Sequence, residues 1–135
     1  MQGGLIFAPR SIKLGAMSLP PIVDAAAINN LRALGGDDED FLGEIIGIFL
    51  ADMPLRIAEL DAGLQATNTE KFMRAAHSIK GSAANLGAMR LQDSAEALEK
   101  EARASGVAGL AANVAAVIAE FEQVRLELER LRAAP

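Results

Sequence analysis

The sequence predicts an all-α protein, an antiparallel four-helix bundle preceded by a short N-terminal helix, and three observations lead there. Alanine, leucine and glutamate dominate while aromatic residues make up only 4% of the chain, a composition that favours helix. No segment alternates apolar and polar residues with the two-residue period of a half-buried strand. Four long amphipathic stretches follow one another across short connections, which favours antiparallel packing of neighbours.

The elements fall in order along the chain. Residues 1–21 read as a flexible N-terminal tail and residues 22–132 as the helical domain. The apolar run Leu5 to Ala8 is too short for a secretory signal core, and Arg10 and Lys13 follow it rather than precede it. Asp24 suits the N-cap of a short first helix carrying Ile28, Leu31 and Leu34, ended by Gly35-Gly36. The acidic run Asp37-Asp38-Glu39-Asp40 suits the positive start of a second helix. That helix is expected to bury Phe41, Leu42, Ile45, Phe49, Ile57, Leu60 and Leu64, with a kink at Pro54. Thr67 and Glu70 form a capping box for a third helix over 68–86, which Gly87 ends. A fourth helix over about 88–104 carries Leu91, Ala95, Leu98 and Ala102 and stops at Ser105-Gly106. A fifth over about 109–132 carries Val114, Val117, Ile118, Phe121, Val124, Leu128 and Leu131.

Composition narrows the function. A net charge of −5 argues against nucleic-acid binding, which needs a basic face. Glu44 interrupts the best apolar run, so no membrane span is expected. The chain has no cysteine and one histidine, which leaves no thiolate chemistry and too few imidazoles for a typical zinc or iron site. A metal-dependent hydrolase is disfavoured on that ligand count, and the run 37–40 reads as an acidic helix start rather than a metal cluster.

The histidine stands in Ala76-His77-Ser78-Ile79-Lys80-Gly81-Ser82-Ala83-Ala84-Asn85-Leu86-Gly87. At about 100° per residue, Phe72, Ala75, Ala76, Ile79, Ala83 and Leu86 form the buried stripe of the third helix, and His77 points outward, about 140° from Phe72. Its neighbours at helical spacing are Glu70, Met73, Arg74, Lys80, Gly81 and Ala84. A glycine inside a helix costs about 1 kcal/mol relative to alanine, so Gly81 calls for a compensating close approach by another molecule. Between Thr67 and Arg90, Lys71, Arg74, Lys80 and Arg90 stand against Glu70 alone, a local net charge of +3 in an acidic chain. Neutral imidazole is a nucleophile near neutral pH. Lys80, one turn away, can offset the charge of a phosphoryl group carried there. A lone surface histidine is ordinarily only a solvated side chain, so the argument rests on the whole string.

That string resembles the histidine-containing phosphotransfer (HPt) domains of two-component phosphorelays: a histidine, two residues, Lys-Gly, two small residues and a hydrophobic-Gly pair. The matching residues are His77, Lys80, Gly81, Ser82, Ala83, Leu86 and Gly87. The resemblance extends to the acidic turn Gly35–Phe41, to Pro54 and to the helix order, over about residues 22–132. It implies a phosphoryl group accepted on His77, at Nε2, contacted by Lys80, with Gly81 leaving room for the partner. Partner docking is expected to use Met73, Arg74, Ser78 and Ala84. The implied partners are response-regulator receiver domains and a histidine kinase or hybrid kinase.

Hairpin arithmetic adds Glu99. His77 lies ten residues before Gly87 and Glu99 twelve after it, so in antiparallel helices the two come roughly level. A carboxylate there could reach Nδ1 of His77, fix the tautomer that frees Nε2 and stabilise a developing imidazolium. A solvated glutamate is the alternative, and Gln92 and Glu96 are further candidates nearby.

No glycine-rich phosphate loop or acidic magnesium cluster is evident, so the chain is expected to be a phosphoryl carrier rather than an ATP-using kinase, with no cofactor of its own. The Mg²⁺ for transfer would belong to the partner receiver domain. A monomeric, cytoplasmic protein that links separate proteins, rather than forming the tail of a hybrid kinase, is the expected setting. The alternative is a non-catalytic helical adaptor or dimerisation bundle, in which the long fifth helix, ending in Phe121–Ala134, pairs with another chain.

Overall fold

The structure, a computed structural model, describes residues 21–133. It contains five helices: α1 (Ala25–Gly35), α2 (Phe41–Gln65), α3 (Thr69–Asn85), α4 (Met89–Ser105) and α5 (Ala111–Ala133). The last four form the bundle, α3 packing against both α2 and α4, and α5 closing it against α4 and α2, while α1 lies against α2. The core runs the length of the bundle through Ile46, Met53, Leu60, Phe72, Ile79, Leu91, Leu98, Val117, Val124 and Leu128.

The first helix starts after Asp24, whose side chain makes no cap hydrogen bond. Its backbone N–H instead donates to the Gly87 carbonyl at 2.8 Å, tying the start of α1 to the α3–α4 turn. Gly36, at φ 59°, ends the helix. Ile28 is buried and Leu31 half-buried, whereas Leu34 is 76% exposed. Leu34 sits about 120° around the helix from Ile28, outside the stripe that meets α2.

The second helix corrects the expected core. Leu42, Phe49 and Leu60 are buried, joined by Ile46 and Met53, whereas Phe41, Ile45, Ile57 and Leu64 are only half-buried. The helix is apolar on nearly every side in its first half, so periodicity gives little guidance to which face turns inward. Pro54 lies on its exposed side and α2 continues through it unbroken; water can satisfy the carbonyl that the missing N–H leaves free.

The α2–α3 connection is capped differently from the predicted box. Asn68 is the N-cap of α3, its side chain accepting from the Lys71 N–H at 3.1 Å, and Thr67 takes a left-handed φ of 53° in the turn. Beside it the backbones of α2 and α3 meet closely: a Cβ on Gly63 would lie 2.8 Å from the Phe72 nitrogen. Gly87 ends the next hairpin at φ 70°, where a Cβ would lie 2.6 Å from that of Ala27. Only glycine serves there, both for the left-handed backbone and for the close contact.

In α5, Val114, Val117, Phe121, Val124 and Leu128 are buried, Leu131 is half-buried, and Ile118 is exposed rather than buried. Ile118 lies about 100° around the helix from Val117, beyond the packed stripe. The charged end of α5 pairs within itself, Arg125 with Glu122 and Glu129, and Arg130 with Glu127. Among the described residues, no helix is long and apolar enough to cross a membrane. The expected tail lies almost wholly outside the described residues.

Candidate functional site

The site sits on the outer surface of the α3–α4 pair, about midway along it. Burial of Phe72, Ala75, Ala76, Ile79 and Ala83 fixes the rotation of α3 and turns His77 outward, its side chain 66% exposed. Burial of Leu91, Ala95, Leu98 and Ala102 fixes α4 and places Glu99 at the edge of its packed stripe, only 8% exposed.

These rotations bring Glu99 beneath the imidazole. Its Oε2 stands 3.2 Å from Nδ1 of His77 and its Oε1 stands 3.4 Å from the same atom. Lys80 donates from Nζ to Oε1 at 3.0 Å, and Arg103 donates from Nη2 to Oε2 at 3.2 Å. Burial pushes the Glu99 carboxyl up, but the hydrogen bond and charge of Lys80, the charge of His77 and the hydrogen bond from Arg103 outweigh it and hold the group below its ordinary value. An ionised carboxylate can only accept hydrogen bonds. The proton between the two side chains therefore lies on Nδ1, and in the neutral ring the lone pair of Nε2 faces solvent.

Lys80 stands one turn from His77 with its charge engaged by Glu99. Gly81 is exposed, and a Cβ on it would meet nothing within 4 Å. No packing within the described residues accounts for that glycine. Beside the imidazole opens a concavity of about 580 Å³, lined by Thr69, Glu70, Met73, Arg74, His77, Ser78 and Glu99. Met73, Arg74 and Ser78 thus share one hollow with His77, while Ala84 is exposed further along α3 and does not line it.

Two readings of the charge pattern change. Arg90 is in the first turn of α4, level with the end of α3 and about 13 Å along the axis from His77, and does not join the site. Arg103, which sequence reasoning missed, takes its place. The available signal was its i,i+4 spacing from Glu99, informative only once Glu99 is itself a site residue. Of the alternatives to Glu99, Glu96 pairs with Lys100 at 2.9 Å, and neither Glu96 nor Gln92 bonds to His77. Among the described residues, no group of three or more His, Cys, Asp or Glu side chains could hold a metal ion.

Residues 44–134 match the sequence profile of the Hpt domain. The chain is similar to the phosphorelay intermediate protein YPD1 of Candida albicans, 28% identical over 87 residues, which are 64% of this chain and 47% of that protein. It therefore spans about half the length of that curated relative. Among solved structures it is similar to histidine-containing phosphotransfer protein B (HptB) of Pseudomonas aeruginosa PAO1, with a TM-score of 0.76 and 27% identity over 83% of this chain and 95% of that one. It is likewise similar to the histidine-containing phosphotransfer protein ZmHP2 of maize, with a TM-score of 0.72 and 26% identity over 87% of this chain and 92% of that one.

Proposed function

Because this chain belongs to the Hpt domain family, we propose that it carries phosphoryl groups between receiver domains of a two-component phosphorelay, on His77. The observation that carries the reading is the buried Glu99 carboxylate 3.2 Å from Nδ1 of an exposed imidazole. A solvated surface histidine has no use for such an arrangement. The similarity to a phosphorelay intermediate supports the same reading.

The chemistry balances without an external base. The Nε2 lone pair attacks the phosphorus of an aspartyl phosphate on the donor receiver. The N–P bond forms as the P–O bond breaks, and the aspartate leaves as a carboxylate. The ring keeps its proton on Nδ1 and gains positive charge, which the ionised Glu99 stabilises. Attack by an aspartate of a second receiver reverses these bond changes and restores the neutral ring. Lys80 offsets charge on the phosphoryl oxygens.

The partners are response-regulator receivers and, through them, a histidine or hybrid kinase. The Mg²⁺ belongs to the receiver, and the chain itself is a carrier with no ATP-using machinery. It works as a cytoplasmic monomer. Met73, Arg74, Ser78 and Ala84 meet the partner, and the open surface over Gly81 admits its acidic pocket. Arg74 and Lys71 steer that acidic partner toward His77.

The test is transfer of labelled phosphoryl from a phosphorylated receiver to wild type and to His77→Gln. An acid-labile, alkali-stable label on wild type alone is expected; equal labelling of His77→Gln would refute the assignment.

A further inference from the structure

The ion network under the imidazole holds one cation too few for what the proposed carrier must do. Lys80 and Arg74 are the positive side chains one turn from His77, and of the two it is Lys80 whose Nζ is bound to Oε1 of Glu99 at 3.0 Å. A phosphoryl group on Nε2 would draw the same ammonium away. Glu99 is 8% exposed, and a buried carboxylate stripped of its cation carries a heavy desolvation cost. The second cation, Arg103, engages the other oxygen, Oε2, at 3.2 Å. Its side chain is 59% exposed, and its bond to Oε2 does not depend on Lys80, so it can stay where it is while Lys80 moves.

Resting on the phosphotransfer reading, we infer that Lys80 is exchanged from Glu99 to the phosphoryl group when His77 is loaded, and that Arg103 is the positioning residue that makes this exchange possible by keeping Glu99 charged and in place. The division of labour follows side-chain chemistry. Lysine is a flexible point charge with three rotatable donors, suited to changing partners, whereas the planar guanidinium holds a fixed geometry on a carboxylate. Glu99 and Arg103, one turn apart on α4, form a stationary pair. Lys80, on α3, is the moving part. Without Arg103, Glu99 has only Lys80 to neutralise it until the ring gains its positive charge, and it holds the lysine more tightly, so the incoming phosphoryl group meets an occupied cation.

Phosphoramidate tests this without a partner protein: Nε2 attacks its phosphorus, the N–P bond of the reagent breaks and ammonia leaves. Failure of every receiver to label the protein would therefore count against the proposed function and leave this test intact. The rate of His77 loading would be measured for wild type, Arg103→Ala, Arg103→Lys, Lys80→Ala and the double variant Lys80→Ala/Arg103→Ala, with circular dichroism confirming the helical fold of each.

Arg103→Ala is expected to load about fivefold more slowly than wild type, a typical coupling within one ion network, and Arg103→Lys to recover most of that loss. In the Lys80→Ala background, removing Arg103 should cost more than it does in wild type, about tenfold or greater, because Glu99 then loses its last cation and with it its charge and its place. An equal loss in both backgrounds would overturn the inference, since Arg103 would then act on the phosphoryl group or on the fold. The Lys80 Nζ resonance should shift on loading in wild type. An unmoved resonance would equally overturn it.

Discussion

Glu99 and His77 are separated by 22 residues and joined across the α3–α4 hairpin by a 3.2 Å contact between Oε2 and Nδ1. The contact joins a buried acceptor to an exposed nucleophile, and that asymmetry gives it chemical direction. The packed stripe of α4 immobilises the carboxylate, and the carboxylate in turn orients a ring that is otherwise free in solvent. Because Glu99 is ionised and can only accept, the ring nitrogen facing the protein is the protonated one. Long-range ¹H–¹⁵N spectra of the neutral ring are therefore expected to show the hydrogen of His77 on Nδ1, and Glu99→Ala should abolish that preference. Phosphoryl acceptance by Glu99→Ala should fall about tenfold, which corresponds to about 1.4 kcal/mol of lost charge stabilisation on the ring. Unchanged spectra would remove Glu99 from the mechanism.

The same carboxylate links stability to pH. Burial raises its pKa, but Lys80, the charge of His77 and Arg103 hold the folded value below the ordinary 4.5. The unfolded chain then takes up the Glu99 proton first as pH falls. Stability from this group is full above about pH 4.5 and drains away as the pH drops through the lower folded value. Urea denaturation of wild type and Glu99→Gln should show a gap that narrows between pH 5 and pH 3, as the protonated glutamate comes to resemble glutamine. A gap of constant size over that range would contradict the shift.

The start of α3 offers a purely structural prediction. Asn68 caps the helix by accepting from Lys71, whereas Thr67 is exposed in the preceding turn. Asn68→Ala should destabilise the protein by about 1 kcal/mol, while Thr67→Ala should change stability by less than about 0.5 kcal/mol. Chemical denaturation of the two variants side by side decides between the caps, and the reverse ranking would restore the Thr67–Glu70 box.

These results show which features a single sequence makes legible. The buried stripe of α3 was readable because Phe72, Ala75, Ala76, Ile79, Ala83 and Leu86 recur with helical period against a polar remainder. The second helix was not, because Ile45, Ile46, Ile48, Phe49 and Leu50 leave almost no polar side in its first half to mark the outside; Ile46 is buried while Ile48 is 66% exposed. Local chemistry could not separate caps one residue apart, since Thr67, Asn68 and Thr69 can all cap. The level pairing of His77 with Glu99 was readable because a hairpin with a glycine turn has a nearly fixed register. Arg103 was not, because its place in the site depends on Glu99 being held inward, a tertiary fact.

Gly81 separates loading from docking. Its missing side chain is filled by nothing among the described residues within 4 Å, so Gly81→Leu should leave the core and the Glu99 network untouched. Leucine is also a better helix former than glycine, so thermal stability should hold or rise by up to about 1 kcal/mol. Loading of His77 by phosphoramidate, a reagent small enough to pass the new side chain, should stay within about twofold of wild type, as expected for an exposed change outside the ion network. Transfer from a phosphorylated receiver should fall by at least about tenfold, because a partner whose acidic pocket must close over Nε2 would meet the new isobutyl group instead, and clashes of that kind discriminate strongly. Both rates falling together would mean that leucine disturbs the imidazole itself. Both rates persisting would mean that the receiver approaches from the hollow lined by Met73 and Arg74 and that the clearing at Gly81 plays no part in docking.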